Sequence, residues 1–453
     1  MFKKDGTIER GAKKWELKYL HKVFISNIYN NVRLTCVKTD KFKTGCLAIN
    51  LKSGLSRDTA AASALLPRVL RRGSVELPDM ERIAEALDEL YGARIEPIVR
   101  KKGELHCVGF YSDFPDDRYI PGGESVLEET ADLLGGILFS PDVRDNLLRP
   151  DYVESEKTNL IDDIRASIND KRGYSIDRLL EEMCAGEAYG VGKLGTEEKA
   201  RSITPESLTT HYRNLIADSQ VEVFYCGSAD PQRIEAVLRQ ALYGFPERAD
   251  KPVPVTDIVL HPAEDTPRRI METLDVSQGK LSVGFRLGKA MENPDYPALM
   301  VLNALYGGSI TSKLFLNVRE RLSLCYYASS VIDKHKGVMI VASGVDFIKI
   351  ETALDEILLQ LDNVKHGDIS DWEMTSAKRA VITAIKSTMD RPAGLEDLYF
   401  DSTIASVPYD PEELCSKVEA ITPDQVKRAA EEIEPDMIYC LVGNQGDTSG
   451  VES

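Results

Sequence analysis

The stretch from Asn303 to Ser330, NALYGGSITSKLFLNVRERLSLCYYASS, carries side chains with chemistry to offer. Arg319 and Tyr326 stand seven positions apart, across a junction between a short charged helix and a strand rich in Tyr and Ser. Both could point into one concave space. Arginine presents five rigid donors and tyrosine a phenolic O–H, a combination suited to hold a peptide carbonyl or a developing oxyanion. Just upstream, a Gly-Gly turn at Gly307 and Gly308 would let a backbone approach closely. The plainer alternative is that Arg319 caps or salt-bridges its helix and Tyr326 belongs to the core.

Other chemistries find less support. The six histidines are His21, His106, His211, His261, His335 and His366, and no two are closer than 31 positions. No local His/Cys/carboxylate cluster has metal-ligand spacing. The chain holds no G-x-S-x-G elbow and no G-x-x-x-x-G-K-[ST] loop. A Ser or Cys nucleophile assembled by the fold stays open, because triad members need not be close in sequence.

The elements that must position these residues follow one plan twice. The first half opens with strands VRLTCVK (32–38) and GCLAINLK (45–52). Arg57-Asp58-Thr59 then offers an N-cap for a helix running through Arg72. LPDMERIAEALDELYG has apolar residues at helical spacing, Met80, Ile83, Leu87 and Leu90. Strands ARIEPIVR and ELHCVGFY turn at Lys102-Gly103, and helices follow over 125–139, 150–170, 174–186 and 205–216. Strand VEVFYCG and helix PQRIEAVLRQALYG close the half.

Between 244 and 269, Pro246, Pro252, Pro254, Pro262 and Pro267 forbid a regular helix and predict an extended linker. Beyond it LSVGFRLG answers GCLAINLK, PALMVLNALYGG answers the helix after Asp58, and a turn at Lys336-Gly337 answers the one at Gly103. ITPESL before VEVFYCG has its counterpart in ITPDQV before MIYCLVG, at 203 and 421. A motif repeated with matching neighbours indicates a duplication. The expected fold class is α+β, with two homologous αβ domains, each a sheet with helices mainly on one face, enclosing a chamber. Their expected bounds are 1–243 and 270–453, with the linker at 244–269.

Bulk properties narrow the partners. A net charge of −17 disfavours nucleic acid, which needs a basic surface. The short basic runs, Arg68, Arg71 and Arg72 and then Arg100 to Lys102, read as solvated faces. No run of eighteen apolar residues indicates a membrane span, and MFKKDGTIERGAKKWELKYL has neither the apolar core of a secretory signal nor the composition of a transit peptide. Cys36, Cys46, Cys107, Cys226, Cys325 and Cys440 sit in apolar strand-like runs, where a reduced thiol behaves as a small hydrophobe. A cytoplasmic location is expected.

The order Gly-Gly, Ser-Lys-Leu-Phe, Val-Arg-Glu-Arg, Leu-Cys-Tyr-Tyr resembles the second-half signature of the insulinase/pitrilysin-type peptidases, which include the mitochondrial processing peptidase. Over roughly 20–445 the duplicated plan is similar too. In that family an Arg and a Tyr at this spacing reach the substrate beside a zinc ion, and by position they are Arg319 and Tyr326. The family's first helix carries H-x-x-E-H, whose His pair binds Zn²⁺ and whose Glu is general base; a Glu on a later helix completes the metal site.

Matched on Gly73-Ser74, the five positions here read Ala64, Leu65, Leu66, Pro67 and Arg68. Ala64 has no donor, Arg68 brings a permanent positive charge, and Pro67 has no oxygen to serve as base. Pro67 should also kink the helix, at about 3 kcal/mol in a regular interior. Glu156 and Asp163 match the family's paired acids, with Asp163 at the ligand position and one methylene short. With the His pair gone, these acids read as a solvated helix face or a pair for Arg68. Residues 114–125 resemble an insertion.

The resemblance therefore implies a zinc-less, non-catalytic subunit of paired bacterial peptidases, of the subfamily labelled elongation factor P modification-associated. It would act on a peptide substrate with a zinc-bearing homologous partner. Arg319 and Tyr326 would donate to the substrate, Gly307 and Gly308 would admit its backbone, and an extended peptide would add to a sheet edge. Zinc is expected only in the partner, with no cofactor in this chain. A homodimer of the isolated chain, a purely structural or peptide-binding role, and a self-sufficient hydrolase are the alternatives.

Overall fold

The computed structural model describes residues 22–245, 255–408 and 410–443. The first half begins with β1 (Lys22–Tyr29), β2 (Val32–Lys38) and β3 (Thr44–Gly54), followed by α1 (Ala60–Leu70) and α2 (Met80–Glu89). A hairpin of β4 (Arg94–Lys102) and β5 (Leu105–Pro115) leads to α3 (Val126–Phe139) and the two-residue strands β6 (Val143–Arg144) and β7 (Leu147–Leu148). Then come α4 (Pro150–Ala166), α5 (Lys171–Met183), α6 (Glu197–Arg201), α7 (Pro205–Asp218), β8 (Gln220–Gly227) and α8 (Pro231–Ala241).

The second half runs β9 (Arg268–Thr273), β10 (Gly279–Arg286) and α9 (Tyr296–Asn303). A π-helical turn, Ala304–Gly308, and a wider helix, Leu314–Arg321, lead to β11 (Cys325–Asp333) and β12 (Val338–Val345). The half ends with α10 (Ile350–Lys365), α11 (Asp371–Thr388), α12 (Pro392–Ala405), α13 (Pro411–Ala420), α14 (Pro423–Glu431) and β13 (Glu434–Val442).

The two main sheets superpose in topology. One has the order β1-β2-β8-β3-β5-β4 and the other β11-β12-β10-β13-β9. Reversing the second aligns β9, β13, β10, β12 and β11 with β2, β8, β3, β5 and β4. In each sheet one pair is parallel, β2 with β8 and β9 with β13, and the rest are antiparallel. The repeated ITP motif has a local cause. Thr204 and Thr422 are N-caps whose hydroxyls accept from the N–H groups of Ser207 and Gln425, with a reciprocal bond back and Pro at the first helical position. β1 has no counterpart. Five of its eight residues are exposed, so no alternation marks it in sequence.

Helices of each half cover one face of its own sheet, and the opposite faces are covered by exchange. Leu179, Leu180 and Met183 of α5 pack on Val338, Ile340, Met437 and Tyr439 of the second sheet. Leu395 of α12 packs on Ala48, Ile98 and Phe224 of the first, and Phe400 on Leu105 and Cys107. A Cβ on Gly284 would collide with Met183, so that glycine is what lets α5 sit close. The exchange explains why β12 is buried at every residue and β3 at eight in a row.

Charged groups lock the exchange. Glu396 of α12 accepts from Asn50 at 3.0 Å and pairs with Arg100 at 2.7 Å. Asp401 takes Lys102 at 2.8 Å, His335 at 2.7 Å, and Lys334. Glu187 holds Arg286 and Lys336, both at 2.6 Å. Arg100 and Lys102 are thus structural cations between the halves and not the solvated face their sequence suggested.

Pro246, Pro252, Pro254, His21 and the N-terminal run lie outside the described residues; from 255 to 267 the chain forms no helix or strand. Among the described residues no helix is long and apolar enough to cross a membrane. All six strand-borne cysteines are buried and unbridged.

Candidate functional site

α1 is built of small and aliphatic residues that bury against the first sheet, with Ala64 fully enclosed. It runs past Pro67 to Leu70 as one helix, where a kink was expected. Pro67 is in the last turn, so only Ser63 C=O loses its helical partner. The Ser63 hydroxyl meanwhile bonds His211 Nε2 of α7 at 2.9 Å.

Arg68 Nη1 meets Asp163 Oδ2 of α4 at 2.7 Å, and one turn on Arg72 Nη1 meets Glu156 Oε1 at 3.1 Å. Arg72 also lies 5.2 Å from the Tyr152 ring. Asp163 is therefore the partner of Arg68, one of the two uses foreseen for the acids of α4, whereas Glu156 pairs with Arg72 in the turn after α1. Zinc would need three or four N, O or S donors converging at about 2.0–2.3 Å. Here Ala64 offers none, and a guanidinium occupies the Asp163 carboxylate. These residues do not fit the metal. Among the described residues no group of three His, Cys, Asp or Glu has a metal-binding arrangement.

Between α1, the start of α2 and β4 lies a cavity of about 520 Å³, lined by Arg68, Arg71, Arg72, Pro97, Glu156 and Lys193 among others. Arg71 and Arg72, assigned to a solvated face from sequence, are half-buried walls of it. Spacing alone held the signal: Arg68 and Arg72 are one helical turn apart, as Glu156 and Asp163 are two.

The Arg/Tyr element is arranged otherwise. Leu314–Arg321 is wound with i→i+5 bonds, and the Leu322 N–H reaches the Asn317 carbonyl at 3.1 Å. Arg319 lies over the Phe315 ring at 4.7 Å and 3.5 Å from Glu320, with 40% of its side chain exposed. On β11 the register with β12 slips between Cys325 and Tyr327, a bulge that turns Tyr326 outward, 64% exposed. Tyr326 is not a core residue. Arg319 acts on the neighbouring Cys325 thiol: burial pushes that thiol up, while a hydrogen bond to Ser343 and the Arg319 charge pull it down.

Gly307 is buried, and a Cβ there would meet Ser330 Oγ at 2.6 Å and Ser330 N at 2.7 Å. Its bareness serves packing under β11. Gly308 alone of the pair reaches solvent.

The profile described as "Peptidase M16 inactive domain" matches residues 202–381. A Bacillus subtilis protein named "Probable inactive metalloprotease YmfF" is 32% identical over 410 residues, covering 90% of this chain and 95% of that one. The same organism's "Uncharacterized zinc protease YmxG" is 24% identical over 77% of this chain and 80% of its own. A conserved protein from Enterococcus faecalis superposes with a TM-score of 0.86 at 26% identity, over 94% of this chain and 99% of its own.

Proposed function

The chain belongs to the M16, insulinase/pitrilysin-type, peptidase family, and from that premise we propose that it is a non-catalytic, substrate-holding subunit beside a zinc-bearing homologue. The observation that carries this reading is the Arg68–Asp163 pair, a guanidinium on the carboxylate that the resemblance matches to the family's metal ligand, while Arg319 is half-exposed and Tyr326 exposed. Bacillus subtilis has relatives with both names, one "probable inactive" and one "uncharacterized zinc protease", which is consistent with such a pair.

In the proposed pair the zinc would be held by the partner, where it would supply Lewis-acid activation of the carbonyl and of water. This chain supplies donors. Arg319 has guanidinium N–H groups to spare beyond its long contact with Glu320, and can hold a substrate carbonyl or the oxyanion. Tyr326, turned out by the bulge, donates beside it. Gly308 leaves room for the peptide backbone. We take 1–243 and 270–453 as the two homologous domains, and the cytoplasm as the compartment, consistent with eight free cysteines.

Mixing the purified chain with its zinc-bearing homologue tests the reading. Arg319→Ala should lower turnover of the pair by about 10²-fold, the scale of losing one oxyanion donor, with the complex intact by size-exclusion chromatography. Unchanged turnover would leave only a structural role, and chelator-insensitive cleavage by this chain alone would overturn the assignment.

A further inference from the structure

β4 is the outer strand of the first sheet and borders the cavity beside α1, so it is the natural place for an extended peptide to add. Its outward backbone is already partly spent. The β4–β5 turn closes between Lys102 and Leu105, so Lys102, Arg100 and Ile98 turn their main-chain groups toward β5. Val99, Pro97 and Ile95 turn theirs outward. Pro97 has no N–H to give, and an outer strand is where a sheet tolerates it. The Ile95 carbonyl already accepts from Arg71 Nε at 2.6 Å. Two successive outward positions of the ladder have therefore each lost one of their two groups to an incoming strand.

The cavity alongside still has donors. Four cations line it, Arg68, Arg71, Arg72 and Lys193, against one acid, Glu156. Asp163 and Glu96 stand behind Arg68 and Arg71, and four positive charges against three negative leave the site net positive. Each arginine has five N–H groups and uses only some of them on these partners. Arg72 Nε is buried with no hydrogen-bond partner, so this guanidinium is only partly satisfied by the protein. Guanidinium groups match the planar geometry of a carboxylate.

We propose that the cavity between α1 and β4 binds a peptide carboxylate end-on through its arginines, and that β4 does not receive the peptide as an added strand. The inference rests on the proposed peptide-holding role for the identity of the ligand. The carboxylate is that of a C-terminus or of an acidic side chain.

The test uses the full chain and a labelled alanine–serine peptide in three forms: free acid, C-terminal amide, and amide with one internal glutamate. The free acid should bind at least about tenfold tighter than the plain amide, and less tightly in high salt. Equal affinity of the glutamate amide assigns the site to side chains, and weak binding assigns it to C-termini. Arg72→Met combined with Glu156→Gln, which leaves no lone buried acid, should abolish the acid preference while the thermal transition is kept. Hydrogen exchange at the Ile95 and Val99 amides should not slow on binding.

Equal binding of free acid and amides, no measurable binding of any form, or slowed exchange at Ile95 and Val99 would each overturn the proposal. Turnover with Arg319→Ala is independent of this readout, so the two readings fail separately.

Discussion

Arg68 and Asp163 carry most of the meaning of this chain, because a metal site and an ion pair demand opposite things of the same carboxylate. If Ala64, Pro67, Arg68 and Asp163 occupy the family's zinc positions, replacing all four should rebuild a donor set. A variant with Ala64→His, Pro67→Glu, Arg68→His and Asp163→Glu is expected to bind about one zinc per chain by metal analysis and calorimetry, and the parent none. Failure of a folded variant to bind would show that α1 and α4 are not set at ligand distance. At Arg72 the ledger is electrostatic. Arg72→Met leaves Glu156, with a side chain 12% exposed, short of its cation and should cost about 1–3 kcal/mol in urea unfolding. Adding Glu156→Gln should recover much of that loss. A pair with Arg68 was readable as an option from the sequence, the Arg72–Glu156 pair was not, and α1 packing against α4 decided both.

Among elements, the turn Ala304–Gly308 and strand β11 set the tolerance of the Arg/Tyr site. Gly307→Ala drives a Cβ into Ser330 Oγ and N, and should lower stability by about 1–3 kcal/mol, seen as a reduced Tm. β5 offers a pH test. His106 is fully buried, neither ring nitrogen is in a well-formed hydrogen bond, and burial pushes its pKa from 6.5 down to about 4. The Lys193 backbone favours the charged ring, but too weakly to offset burial; His211, Lys101 and Lys193 charges add to the depression.

Because the folded value lies below the unfolded one, this contribution is complete above about pH 6.5 and is lost as pH falls toward 4. Between pH 7 and 5 the loss should be roughly 2 kcal/mol, read as the difference between the parent and His106→Gln in urea unfolding. Glu396 and Glu222 run the other way, since burial raises both carboxyls against the pull of Arg100 and Lys52, which is why the difference is the quantity to measure. The strands themselves were legible in their cysteine-bearing apolar runs. The wide winding at Leu314–Arg321 and the bulge at Tyr326 were not, because neither changes the residue pattern.

For the whole molecule, exchange of α5 and α12 makes each half incomplete alone. A fragment ending at residue 243 would expose Leu179, Leu180 and Met183 and lose α12 from the back of its sheet. It should lack near-ultraviolet circular dichroism and aggregate, whereas the full chain should unfold in one transition by fluorescence and circular dichroism. Asp401 adds an acid limit. Burial would raise its carboxyl, but the hydrogen bond with His335 and the charges of Lys334 and Lys102 hold it well below the usual range. The stability it contributes is present above about pH 4 and is lost as pH falls further.

Sequence by itself determined the duplicated plan and the absence of H-x-x-E-H, since these are facts of residue order and local periodicity. Tertiary structure decided which sheet each helix covers, that Arg68 neutralises Asp163, and that Arg71 closes the Ile95 carbonyl. Those depend on distances between segments far apart in the chain, and a periodic pattern specifies that a face is buried without specifying against what.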